Sequence, residues 1–190
     1  MPKNTLIFLR HAETKVDRTI KVSDWELTNQ GIKESLRISQ NNLFNDIDII
    51  IASNEKKAYQ TALPLAEKKK KDIIREKELN EIMRDNGKFL GKDDYLSTMR
   101  LCMENRDKSF NHWETATHAL ERFAKKVEEI DNNYNKKKIL IVAHGGVINL
   151  YFAKLQNSLS NVYERARSNT FCDYGIIRNG DVIKDISKVP

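Results

Sequence analysis

Four short apolar runs, at 5–10, 47–53, 139–144 and 171–178, constrain this chain more than any other feature. Each is rich in Ile, Val or Phe and short enough for a buried strand. A weaker run, Asp72-Ile73-Ile74-Arg75-Glu76, follows the second. The gaps carry helical spacing. Thr28 is placed to cap a helix running to about Leu43, with Ile32, Leu36 and Ile38 on its apolar side. A second helix is expected from about Glu55 to Lys70, with Pro64 kinking or breaking it. A third covers about Thr115 to Asn132, with Ala119, Leu120, Phe123, Val127 and Ile130 at helical spacing. A fourth follows Gly146. This alternation predicts an α/β fold: a three-layer sandwich with a mainly parallel central sheet and helices on both faces. The end departs from the pattern. Asn179-Gly180 lies between two apolar runs, the strongest short-range hairpin signal, so an antiparallel hairpin is expected at the C-terminus. A single domain is expected over residues 1–190, with the irregular stretch 82–113 inserted over the mouth of the site.

The net charge of +6 comes from 33 Lys and Arg against 27 Asp and Glu. Much of the excess sits in Lys68-Lys69-Lys70-Lys71 and Lys136-Lys137-Lys138, each at the end of an expected helix, where lysine favours the negative end of the helix dipole. With no aromatic interleaving and no zinc-finger spacing, these runs read as solvated helix ends, and no nucleic-acid partner is expected. No apolar run approaches the ~20 residues that span a bilayer. Met1-Pro2-Lys3-Asn4 leads straight into an apolar run without a signal-peptide core, so a cytoplasmic protein with no membrane partner is expected. Cys102 and Cys172 are too few for a disulfide framework and read as free thiols in a reducing compartment. His112 and His118 have no metal-ligand spacing, and no metal or other cofactor is expected. The sequence carries no sign of an oligomeric state.

Two apolar runs end in histidine. Thr5-Leu6-Ile7-Phe8-Leu9 leads into Arg10-His11-Ala12-Glu13-Thr14, and Ile139-Leu140-Ile141-Val142-Ala143 into His144-Gly145-Gly146. In an open α/β sheet, ligands bind beyond the carboxyl ends of the strands. Two imidazoles and a guanidinium meeting there form a compact cationic pocket suited to a phosphoryl group. A neutral imidazole nitrogen can attack phosphorus and carry the group covalently. Arg10 and His144 disfavour the charged form of His11, so its pKa is expected below the usual value. A backbone carbonyl of the adjacent turn is expected to accept from its other ring nitrogen. Arg10 offers a planar fork of donors to phosphoryl oxygens. Gly145-Gly146 lets the backbone come close and opens a helix whose first N–H groups are expected to face the anion.

These motifs resemble those of the histidine phosphatase superfamily, whose members include cofactor-dependent phosphoglycerate mutases. Leu27-Thr28-Asn29-Gln30-Gly31 is similar to the family's Leu-Thr-x-x-Gly at the start of its first helix. The segment from Ser53 to Ala62 resembles its Ser-x-x-x-Arg-Ala-x-Gln-Thr-Ala, with lysine at 57. Leu79-Asn80-Glu81 resembles its Leu-x-Glu. The resemblance covers residue 5 to about Asn169, and it implies roles. His11 is the nucleophile. His144 donates to a phosphoryl oxygen and stabilises charge in the transition state. Glu81 is the proton donor to the leaving group and later activates water, with Glu76, Glu78 and Asp85 as local competitors. Lys57 stands where the family carries a second arginine clamp, and it keeps the charge but loses the bidentate fork. Lys56 does not share its face. Asp17 falls near the family's phosphate-contacting asparagine, where a carboxylate repels phosphate, and Arg18 is the alternative. Thr14, Asp17, Arg18, Arg84 and Asn169 are the candidates for bracing the pocket or touching substrate.

The activity implied is a metal-independent phosphatase acting on a small phosphorylated metabolite through a phosphohistidine on His11. The alternatives are phosphoglycerate mutase-type transfer, removal of phosphate from protein histidines, and phospho-ligand binding without turnover. The chain is short for a mutase, and 82–113 holds nothing that corresponds to the extra segments of mutases. A shallow 82–113 region points to a protein substrate, and a lid over the pocket points to a small molecule. Met83, Arg84, Lys88, Phe89, Tyr95, Arg100, Arg106 and Trp113 are candidate specificity residues within it.

Overall fold

The computed structural model describes residues 3–189. In chain order the elements are β1 (Thr5–Arg10), α1 (Asn29–Gln40), β2 (Ile49–Ser53), α2 (Lys56–Lys69), β3 (Ile73–Glu76), α3 (Lys92–Glu104), α4 (Ala116–Asn133), β4 (Lys138–Ala143), α5 (Gly145–Leu155), α6 (Val162–Ser168), β5 (Tyr174–Arg178) and β6 (Asp181–Lys184). The strands form one six-stranded sheet in the order β3-β2-β4-β1-β5-β6. β1 and β2 run parallel to β4, and β3 runs parallel to β2. β5 runs antiparallel to β1, and β6 antiparallel to β5. The sheet is therefore mainly parallel with a C-terminal antiparallel hairpin. Asn179 and Gly180 both adopt positive φ, 53° and 89°, as a two-residue turn between β5 and β6 requires.

Side chains of a strand alternate between the two faces, and here both faces are covered. Leu6 and Phe8 of β1 pack with Ile139 and Ile141 of β4 against α4, α5 and part of α3. Ile7 and Leu9 pack with Leu140 and Val142 against α2 on the other side. Phe8 lies edge-on to Phe152, with ring centroids 5.4 Å apart, and Tyr151 joins it to Phe123. Burying a side chain such as Phe8 contributes roughly 1.5–3 kcal/mol.

The structure departs from the sequence expectations in two places and narrows a third. In α1 the buried face is Gly31, Ser35 and Ser39, while Ile32 and Leu36 are exposed and only Ile38 turns toward the core. Small residues let α1 lie close along α2, and the Ser35 and Ser39 hydroxyls are satisfied by the carbonyls of Ile32 and Leu36. Second, α2 continues through Pro64 without a break. Third, the stretch 82–113 contains a full helix, α3, whose Met99, Cys102 and Met103 are buried. The Thr28 cap is formed, its hydroxyl accepting from Gly31 N at 2.9 Å, although α1 ends at Gln40. Cys102 and Cys172 are free.

For the site, the decisive feature is the neighbouring placement of β1 and β4. Arg10 pairs in register with Ala143, so the residues that follow, His11 and His144, leave the sheet side by side at its carboxyl edge. The His11 N–H donates to the Ala143 carbonyl at 3.0 Å.

Candidate active site

His11 and His144 meet with ring centroids 5.2 Å apart. His11 Nδ1 lies 2.8 Å from the carbonyl oxygen of Ala12. A carbonyl only accepts, so Nδ1 carries the proton and Nε2 is the unprotonated nitrogen. Thr14 stands beside it, its hydroxyl 3.2 Å from Nδ1 and donating to the same Ala12 carbonyl at 3.2 Å. Burial holds the His11 pKa well below the usual histidine value, reinforced by the neighbouring His144 ring and the charges of Lys57 and Arg10, and the Ala12 bond opposes this.

Arg10 ends β1 beside it. Nη1 donates to the Asn169 carbonyl at 3.0 Å, and the guanidinium lies 4.9 Å over the Phe171 ring. The Asn169 side chain is itself held by two bonds: its amide donates to Ile186 O at 2.7 Å and its oxygen accepts from Asn149. Next to Ile186, Asp185 pairs with Arg165 of α6 at 2.6 Å. The C-terminal segment thus braces the guanidinium through Asn169.

His144 is fully buried. Its Nε2 is 2.7 Å from the Ser53 hydroxyl at the end of β2 and 3.5 Å from Oε1 of Glu55. Burial also lowers its pKa well below the usual value, with Lys57 and three arginines adding to the effect. Lys57, in the first turn of α2, is 2% exposed. Its ammonium donates to Val22 O at 2.9 Å and pairs with Glu55. Lys56 turns outward to Glu26, at 2.5 Å.

Beside the expected cationic groups stands Glu55, a buried acid that pairs with Lys57 just behind the cavity lining. Sequence reasoning passed over Glu55 as an unspecified position in the segment after Ser53. The available signal was a charged residue directly after a fully apolar strand.

Glu81 changes the reading of the glycines. Its Oε2 accepts from Gly146 N at 2.9 Å, and its Oε1 from Val147 N and Ile82 N, each at 3.0 Å. These first N–H groups of α5 were expected to face the phosphoryl group. They hold the Glu81 carboxyl instead, a favourable place for an acid side chain. A Cβ on residue 146 would sit 2.5 Å from Oε1, so glycine is what lets the carboxyl approach.

A cavity of about 940 Å³ opens over these groups, lined at its base by Arg10, His11, Thr14, Lys57, Glu81 and Gly145. Its outer wall comes from two stretches. The loop after β1 contributes Arg18 and Trp25, and the 82–113 stretch contributes Arg84, Lys88, Phe89, Tyr95 and Trp113. Arg18 stacks over Phe89 at 4.8 Å, and Arg84 over Tyr95 at 5.0 Å with a 2.8 Å bond to its hydroxyl. Asp17 does not line the cavity. Its carboxylate is turned into a local bond with Thr19, which holds its pKa below the usual value. Met83, Arg100 and Arg106 also lie off the lining, with Arg100 paired to Glu104 and Arg106 bonded to Leu159 O. His112 and His118 do not line the cavity, and His118 pairs with Glu114.

The two buried rings set a pH dependence of stability. Both are neutral in the folded state, with pKa values below 6.5. As pH falls below 6.5, the unfolded chain takes up these protons first. Stability is therefore fully present above that pH and is lost below it, at up to about 2.7 kcal/mol per pH unit for two rings. Urea unfolding across pH 7.5 to 5.0 measures this slope, and a flat profile would mean that the rings charge without unfolding.

The sheet order and the paired histidines define a phosphoglycerate mutase-like α/β protein. The profile of the histidine phosphatase superfamily (branch 1) matches residues 6–174. The chain belongs to that superfamily and is a phosphatase, a phosphoric monoester hydrolase. It is similar to phosphoserine phosphatase 1 of Hydrogenobacter thermophilus, with 27% identity over 154 residues, covering 73% of this chain and 70% of that one. Two solved structures share the fold. One is a phosphoserine phosphatase mutant from Entamoeba histolytica in complex with phosphoserine, with TM-score 0.77 and 19% identity over 95% of this chain and 94% of that one. The other is a mycobacterial glucosyl-3-phosphoglycerate phosphatase with inorganic phosphate, with TM-score 0.75 and 20% identity over 90% of this chain and 88% of that one.

Proposed function

We propose that this chain hydrolyses a small phosphomonoester through a phosphohistidine on His11, without a metal ion. Nε2 of His11 attacks phosphorus as Glu81 gives a proton to the departing alcohol oxygen. Water, giving its proton to Glu81, then releases phosphate. Arg10, Lys57 and His144 offset charge on the phosphoryl oxygens. The observation that carries this reading is the 2.8 Å contact of His11 Nδ1 with the Ala12 carbonyl, which leaves a neutral Nε2 in a cavity wall.

The cavity also supports a small molecule over a protein phosphohistidine. At about 940 Å³ it is far larger than a phosphoryl group, so it has room for the ester's organic part. We take 82–113 to be an insertion that supplies its outer wall within a single domain. Among the described residues no helix is long and apolar enough to cross a membrane.

The test is a panel of esters that includes an aryl phosphate, phosphoserine, 3-phosphoglycerate and glucosyl-3-phosphoglycerate. At least one is expected to release free phosphate, with activity unchanged by EDTA. Rapid quenching with labelled substrate should trap an acid-labile phosphate on His11. Isomerised phosphoglycerate instead of free phosphate means a mutase, and no turnover of any ester overturns the proposal.

A further inference from the structure

Glu55 is a buried carboxylate directly behind Lys57 and Glu81, which line a site for an anion. It is 5% exposed. Its Oε1 accepts the Glu81 N–H at 2.7 Å and lies 3.5 Å from His144 Nε2, while its Oε2 pairs with the Lys57 ammonium. Three parts of the phosphoryl site therefore converge on one side chain that sequence reasoning did not assign. A negative charge so placed opposes a phosphoryl dianion by simple repulsion. Its presence needs a reason.

The identity of residue 57 supplies one. Arginine presents several donors in a rigid fork, whereas lysine is a point charge on a flexible stem with three rotatable N–H groups. A lysine at this place has to be aimed by something else. Here one N–H goes to Glu55 and one to Val22 O at 2.9 Å, which leaves one for a ligand. Glu55 precedes α2 directly and Lys57 lies in its first turn, so the backbone of a single turn sets the pair.

We propose that Glu55 is a positioning residue for phosphoryl transfer. It aims the Lys57 ammonium and steadies His144, and by pairing with Lys57 it weakens the hold of the resting site on free phosphate. The proposal rests on the phosphatase reading above. Its functional consequence is easier release of the product anion at the end of each turnover.

A double-mutant cycle with inorganic phosphate as the probe tests it, read by calorimetry for binding and by aryl phosphate hydrolysis for kcat and KM. Glu55→Gln keeps an acceptor for the Glu81 N–H but removes the charge. It should tighten phosphate binding at least about fivefold while lowering kcat about tenfold, because the ammonium and imidazole lose their anchor. Lys57→Gln alone leaves Glu55 unpaired beside the anion and should weaken phosphate binding at least about tenfold. The double variant should return to within about threefold of the parent, since both charges are gone. In the Glu55→Gln background, Lys57→Arg should recover kcat, because arginine supplies its own orientation.

Should Glu55→Gln alone fail to fold, the double variant against Lys57→Gln carries the same comparison. Strictly additive effects on kcat, or phosphate binding weakened by Glu55→Gln, overturn the role. So does a folded Glu55→Gln protein with unchanged Kd and kcat while the parent binds phosphate and turns over esters. A parent that does neither overturns the proposed function itself.

Discussion

Replacing His11 with alanine is expected to lower kcat by at least about 10,000-fold while leaving the fold intact. The size of the loss follows from the absence of a substitute. His144 is the nearest other imidazole, but it is fully buried and its Nε2 is engaged by Ser53 at 2.7 Å. The fold survives because the Ala12 carbonyl, which loses the Nδ1 donor, still accepts from the Thr14 hydroxyl at 3.2 Å. The variant should also show a shallower stability slope below pH 6.5, since one of the two neutral buried rings is gone. Trapped phosphate should disappear from the quenched enzyme. A residual rate within tenfold of the parent, in a protein free of parent contamination, would remove His11 as nucleophile.

Glu81→Gln is the second large effect, and its signature is dependence on the leaving group. An alkyl alkoxide needs a proton as it departs, whereas an activated aryl oxide does not. Losing a positioned proton donor costs about 100- to 10,000-fold, so that range is expected in kcat for phosphoserine-like esters, with a much smaller loss for nitrophenyl phosphate. The competing role is structural, because the same carboxyl accepts three backbone N–H groups, from Ile82, Gly146 and Val147. A glutamine amide turns donors toward some of those N–H groups, which loosens the start of α5. If that were the whole effect, alkyl and aryl esters would suffer equally. Gly146→Ala provides a second route to the same answer, since its Cβ would meet Oε1 at 2.5 Å and shift the carboxyl without removing it.

Much of this architecture was legible because buried parallel strands write continuous apolar runs. β1 and β4 are each almost wholly buried in the middle, so their ends, and hence Arg10, His11 and His144, could be located to the residue. The α4 stripe of Ala119, Leu120, Phe123, Val127 and Ile130 is buried as its spacing predicts. The errors share a cause, which is that residue type stood in for tertiary context. In α1, apolar Ile32 and Leu36 face out because close approach to α2 favours small residues at the contact. Pro64 was expected to kink or break its helix, and the break does not occur. The α5 N–H groups were assigned to an anion that turned out to be a side chain of the chain itself. Glu55 went unnoticed because a charged residue is ordinarily exposed, and only the strands brought next to it explain its burial.

The strand order has a consequence for how the protein is made. β4 lies between β1 and β2, so Thr5 cannot meet its partner Lys138 until the intervening chain has been synthesised. At about 5–20 residues per second, that wait is roughly 7–27 s. Throughout it the nascent β1 is an apolar ribbon without its central neighbour, and no catalytic centre exists. The emergence of β4 from the ribosome therefore ends the wait of β1 for its central partner, and enzymatic competence follows only once α5 and the Asn169 segment have also emerged.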